Sequence, residues 1–198
     1  MKDCFNSNNK AGMLILLGGL LLASQATAGD LGNAAGAAAG IAAGIYTHEA
    51  GHALAARAIG ASDIHIHVPG SQCRLLCGET SWASPSAVGP AEMLTVDVAG
   101  FAASNLTAEV LLHRDRSARS AFGQGFIATN LYSNVAHVVT YYTRIIGRNG
   151  YRGNDIDAFE QAGGNPHVLA AGLLAYSAWA LHRMKGRQIP VMFVQWRL

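Results

Sequence analysis

The chain has 198 residues, enough for one compact domain and too few for two comfortable ones, and its 51% hydrophobic content excludes wholesale disorder. Charged residues make up only 13%, about half the share of a typical soluble domain, which points to a tightly packed helical or membrane-associated protein. A net charge of +2, with no basic patch interleaved by aromatics and no phosphate-cradling glycine loop, argues against nucleic acid as a partner.

Residues 1–28 have the layout of a secretory signal peptide: Lys2 and Lys10, an apolar stretch from Ala11 to Ala23, and a polar segment ending in Ala26-Thr27-Ala28. Cleavage after Ala28 would leave residues 29–198 as the mature domain. The second reading is an uncleaved anchor, although the apolar stretch is shorter than the ~20 residues of a membrane span. Export would place Cys73 and Cys77 in an oxidising compartment, where a disulfide and a pair of free thiols are both open.

From Leu31 to Ile59 the alanine- and glycine-rich sequence predicts one helix, with Gly60 in the position of a C-cap. Gly32, Gly36, Gly40 and Gly44 recur every four residues, as expected of a small-residue face against another helix. Ile64, Ile66 and Val68 then alternate with His65 and His67, Pro69-Gly70 marks a turn, and Cys73 to Trp82 returns, which predicts a β-hairpin. A helical pattern follows from about Ala91 to His113, the charged stretch "RDRSARS" reads as a loop, and another helix is expected around Phe126 to Ile146. After the turn-rich "GRNGYRGND", a short helix spans Asp155 to Ala162 and stops at Gly163-Gly164. Asn165-Pro166 supplies an N-cap and first-turn pair for a last helix, Val168 to Met184, and the tail "IPVMFVQWRL" alternates like a short strand. The Phe126 and Val168 segments border on the length of a membrane span, but the first carries Asn130, Asn134 and His137.

The chemistry lies in "IYTHEAGHALAARAIG", Ile45 to Gly60. His48 and His52, at i and i+4, project from one helix face one turn apart and can offer two neutral imidazole nitrogens to a single zinc ion. Glu49 then sits beside the metal, where a carboxylate can act as general base toward a water polarised by it. A catalytic zinc needs a third protein ligand and one open position. The acidic candidates are Glu79, Glu92, Asp97, Glu109, Asp155, Asp157 and Glu160. The strand pair His65/His67 has a spacing that can also bind metal, or forms a solvent-facing row on a strand along which a peptide lies. His113, His137, His167 and His182 read as structural, with His137 open to a role as transition-state stabiliser. Asn105 and Asn130 can orient a substrate carbonyl or satisfy polar helix contacts.

"IYTHEAGHALAARAIGASDIHIHVPG" resembles the opening of the zinc peptidase domain of the FtsH family of membrane-bound AAA proteases. "AGFAAS", Ala99 to Ser104, is similar to that domain's glycine- and alanine-rich helix, and "RGNDIDAF", Arg152 to Phe159, to its stretch carrying the third zinc ligand. The resemblance implies Asp155 as that ligand, with Glu109 and Asp157 as rivals. No Walker-type phosphate loop occurs, so the ATPase of that family, and ATP as a partner, are not expected. The order of motifs also resembles site-2 proteases, zinc peptidases of the membrane, through "AGFAASN", Ala99 to Asn105. The expected protein is therefore a mainly helical α+β, zincin-like metallopeptidase with a long HExxH helix and a small β-hairpin. It takes a peptide or protein substrate, with Glu49 catalytic and His48, His52 and Asp155 holding Zn2+. Its expected place is the cell envelope, membrane-associated or periplasmic after export. The competing expectation is a catalytically silent relative that binds metal or scaffolds an envelope complex.

Overall fold

The computed structural model describes residues 28–70, 77–143 and 154–190, and the chain divides into a unit of residues 1–35 and a unit of residues 36–198. The expected signal peptide lies almost wholly outside the described residues, as does the tail from Val191 onward. Among the described residues eight elements follow one another: α1 (Ala28–Ala58), β1 (Ser62–His67), β2 (Glu79–Ala83), α2 (Pro90–His113), α3 (Asp115–Arg119), α4 (Ala121–Thr143), α5 (Asp155–Gln161) and α6 (Pro166–Gly186). The architecture is mainly helical with a small antiparallel sheet, β1 against β2.

Local signals explain most boundaries. Gly60 has φ of +87°, the left-handed conformation that only glycine enters without penalty, and it ends the turn after α1. Pro90 opens α2 with its fixed φ, and the Gly89 N–H donates to the Glu92 carboxylate 2.7 Å away, so the side chain at the third helical position satisfies the cap residue's backbone. Asn165 caps α6 by accepting from the N–H groups of His167 and Val168.

Two expectations need correction. "RDRSARS", read as a charged loop, contains α3, because its charges are engaged by tertiary partners. Arg187 pairs with Asp115 in the first turn of α3, and Arg119 in its last turn donates to the carbonyls of Arg187 and Gln188. The helix expected around Phe126 begins at Ala121 instead. Its early glycines, which resemble breakers in isolation, are where other backbone comes close: a Cβ on Gly125 would overlap the Ala37 carbonyl.

Close approach also accounts for the glycine repeat of α1. A Cβ on Gly40 would overlap the Phe122 carbonyl, and one on Gly51 would overlap the Ala99 carbonyl and lie 2.8 Å from the Ala103 side chain. The helix thus presses its backbone against α4 at one level and α2 at the next, at a helix-propensity cost of up to about 1 kcal/mol per glycine. Gly32 meets no such neighbour.

Two apolar clusters hold the helices. One gathers Leu112, Ala118, Phe126, Ile127, Leu131, Met184 and Ile189, and the other gathers Phe101, Val138, Tyr141, Ile156, Ala170 and Leu173. Fully burying side chains of this size stabilises by roughly 1.5–3 kcal/mol each. The second cluster meets the histidines through Phe101, whose ring lies against those of His48 and His137. Among the described residues no helix is long and apolar enough to cross a membrane. Cys77 is disulfide-bonded, while Cys73 lies outside the described residues.

Candidate metal centre

Three helices converge on one point. From α1, His48 and His52 are buried, and their Nε2 atoms lie 3.1 Å apart. From α5, the Asp155 Oδ2 lies 2.8 Å from His48 Nε2 and 3.2 Å from His52 Nε2. From α4, His137 Nε2 lies 3.4 Å from the same oxygen. The ligand atoms of His48, His137 and Asp155 fall within 4.8 Å of one another.

Each group is set by its own backbone or by a neighbour. His52 Nδ1 sits 2.7 Å from the Val96 carbonyl of α2. A carbonyl only accepts, so Nδ1 carries a proton, and whenever the ring is neutral a bare Nε2 faces the cluster. His137 Nδ1 donates in the same way to the Ser133 carbonyl, 2.8 Å away. Asp155 is placed by Asn154, whose Oδ1 caps α5 by accepting from the Ile156 N–H at 2.9 Å. The Asn154 amide donates to the His137 carbonyl at 2.9 Å and to the Thr140 hydroxyl at 2.7 Å, tying α5 to the turn of α4 that bears His137.

The close approach of α2 makes room for the rings. A Cβ on Gly100 would overlap His52 Nε2 and lie 2.8 Å from His48 Nε2. Phe101, next along, meets His48 and His137 edge-on, with ring centroids 5.1 and 5.0 Å away. This apolar wall limits water access and strengthens electrostatic interactions inside the site.

Glu49 is buried beside the cluster and reaches β2, where the Thr80 hydroxyl donates to its Oε2 at 2.8 Å. A Cβ on Gly78 would overlap the Glu49 side chain, so the start of β2 packs directly on this carboxylate.

The electrostatics follow from crowding. Burial alone would lower the His52 pKa, but the charge and hydrogen bond of Asp155, with the Val96 carbonyl and Glu49, raise it to about 9. Burial alone would raise Asp155, yet His52 and His137 and the hydrogen bonds from His48 and His52 hold it well below the usual carboxylate range. Burial pushes His137 down. Asp97, buried on α2, is pushed up to about 6 by burial, reinforced by the Asp155 charge and opposed by His52.

The other acidic candidates are placed elsewhere. Glu109 accepts from Arg183 at 2.6 Å and from the Tyr176 hydroxyl at 3.1 Å. Glu92 caps α2, and Glu160 accepts from the Tyr141 hydroxyl at 2.9 Å. Asp157 and Glu79 belong to α5 and β2, outside the cluster. His65 and His67 are exposed on β1 with ring centroids 6.3 Å apart. Asn130 and Asn134 donate to Asn105 Oδ1 at 2.9 and 3.0 Å, a helix-packing role rather than one at the site.

Two residues of the site had little or no weight in the sequence: Thr80, and His137 as a member of the cluster. For His137 a signal existed, because Asn130, Asn134 and His137 recur at i, i+4 and i+7 and form a polar stripe on a largely apolar helix. Thr80 carried no signal apart from its place on the returning strand of the hairpin. No protein-family model, curated protein or solved structure matches the chain.

Proposed function

We propose that this chain is a zincin-like, zinc-dependent peptidase of the cell envelope, with His48, His52 and Asp155 as metal ligands and Glu49 as general base. The observation that carries the reading is the triangle formed by His48 Nε2, His52 Nε2 and Asp155 Oδ2, with sides of 2.8, 3.1 and 3.2 Å. Donors bound to tetrahedral zinc stand about 3.3 Å apart, so the set needs to widen by only a few tenths of an ångström. The donor chemistry agrees: with its ring neutral, His52 turns a lone pair toward a second imidazole nitrogen and an anionic oxygen, a grouping that repels itself unless a metal ion or a shared proton lies among its members. Two neutral imidazoles and one carboxylate are a common set for a catalytic zinc.

When bound, zinc supplies Lewis acidity, polarising a carbonyl and lowering the pKa of water in its open position to about 7. The chain's residues do the rest. The Val96 carbonyl and the N-terminal turn of α5 hold the ligands in register, which removes reorganisation from the chemical step. Glu49, oriented by Thr80, takes a proton from the attacking water and returns it to the leaving amine. Phe101 and Gly100 close one side against bulk water. Among the described residues the sheet has two strands, each with one edge not covered by the other, and β2 reaches Glu49 through Thr80, so an extended peptide can add alongside the base. The disulfide at Cys77 supports an oxidising, exported location.

Metal analysis of the purified chain together with Glu49→Gln tests the reading. The parent should bind zinc at one equivalent and cleave casein or a peptide library. Glu49→Gln should keep the zinc and lose about 10²–10⁴-fold in turnover, the usual worth of a general base. Equal cleavage by variant and parent would leave a metal-binding protein without this hydrolytic mechanism.

A further inference from the structure

We infer that His137 is a fourth protein ligand of the same metal, so that the resting site is closed by protein on all sides; this rests on the metallopeptidase reading above. His137 enters from α4, a different helix from those bearing the other three donors, yet its Nε2 lies 3.4 Å from Asp155 Oδ2, close to the separation of about 3.3 Å between two donors on one tetrahedral zinc. Its ring stacks on that of His48, with centroids 5.6 Å apart and planes 30° apart.

Hydrogen bonding decides what this nitrogen can do. The Ser133 carbonyl holds the Nδ1 proton of His137 at 2.8 Å, so the neutral ring has no proton on Nε2. A bare Nε2 cannot donate to a developing oxyanion, which weighs against the transition-state role that the sequence leaves open for His137. It can donate a lone pair to a metal, and a backbone carbonyl on the far nitrogen is the usual partner of a metal-bound histidine. His52 has the same arrangement with Val96.

The fold also ties His137 to a ligand mechanically. Asn154 caps the helix that presents Asp155 and, through its amide, grips the His137 carbonyl. Asn154 is buried, so α4 and α5 present their two donors as one piece. Three protein ligands leave a zinc open to water and substrate, whereas four close it.

The test is X-ray absorption at the zinc edge on the full chain loaded with one equivalent of Zn2+, with affinity measured by competition against a chromophoric chelator. Wild type should show three imidazoles and one carboxylate. His137→Ala should show two imidazoles and bind zinc at least about tenfold more weakly, the lower end of what even outer-shell partners contribute. Two imidazoles in the wild type, with unchanged affinity in the variant, would overturn the inference and leave the three-ligand peptidase standing. Failure of the wild type to bind zinc stoichiometrically would sink both. The count in the wild type does not depend on whether the variant folds.

Discussion

The chain carries two histidine pairs at spacings able to bind a metal, and only one of them is gathered into a buried cluster. His65 and His67 alternate along β1 and so share one face of the strand, but that face is exposed and the rings stand 6.3 Å apart. His48 and His52 share one face of α1, are buried, and bring their Nε2 atoms to 3.1 Å. What separates the pairs is the surroundings rather than the spacing. The helical pair has a carboxylate from α5, a glycine on α2 that lets the backbone come close, and a carbonyl that fixes one tautomer. The strand pair meets water, which leaves its rings free to rotate, at a cost in rotamer entropy for any metal that would order them.

The comparison breaks most sharply at the acid. Asp155→Ala should weaken zinc binding by more than about 100-fold, beyond the 10–100-fold typical of outer-shell partners. Glu109→Ala, at the residue that bonds Arg183 and Tyr176, should leave zinc affinity within about twofold while lowering stability by about 1 kcal/mol. Equilibrium dialysis and thermal melts on both variants check this, and zinc lost from Glu109→Ala alone would move the site.

Gly100→Ala is the next test, since its Cβ would overlap the His52 imidazole. Displacing α2 or the ring should cost about 1–3 kcal/mol of stability, the usual range for overpacking. Zinc binding should weaken in the same variant. A melting temperature and zinc affinity equal to the parent's would mean that α2 does not crowd the rings.

The metal-free protein should also report the cluster through pH. His52 is raised from 6.5 to about 9 on folding, so the stability it contributes is fully present below pH 6.5 and is lost as pH rises through about 9. Asp155 is shifted the other way, so its contribution is present above its ordinary value of 3.8 and is lost as pH falls through its lowered folded value. Melting temperature of the zinc-free chain should therefore fall between pH 6.5 and 9. Added zinc should stabilise more at the upper end of that interval, because the metal displaces the proton. A flat metal-free profile would mean that no proton bridges the histidines and Asp155.

The smallest effect belongs to the strand pair. Replacing His65 and His67 together by alanine should leave zinc stoichiometry unchanged, as measured by metal analysis, because exposed surface substitutions usually stay within about 0.5 kcal/mol. A drop by one equivalent would show that the exposed pair is a second centre.

Much of the fold is legible in the residues because the signals are local. Gly60, Asn154 and Asn165 each mark a helix end through their own conformation or side chain, and the alternation of Ile64 and Ile66 with His65 and His67 marks a strand. The charged stretch that forms α3 was not legible, since Asp115 and Arg119 are satisfied by residues near position 187, remote in the chain. The same holds at the site. His48, Glu49 and His52 share a helical turn, and a single repeat rule places them. Asp155 was one of several acids until α5 folded against α4, while Glu109 pairs with Arg183 on α6.

Residue order by itself determined the helix, the pairing of two imidazoles on one face of it, and the small-residue positions that permit close contact, because each depends on a period of a few residues. Tertiary structure alone decided which carboxylate faces the imidazoles, that His137 joins them from α4, and that Thr80 holds Glu49. Those relations span from 18 residues, between His137 and Asp155, through 31, between Glu49 and Thr80, to 107, between His48 and Asp155. At such separations only the packing of buried helices, and not any local preference of the chain, sets which side chains meet.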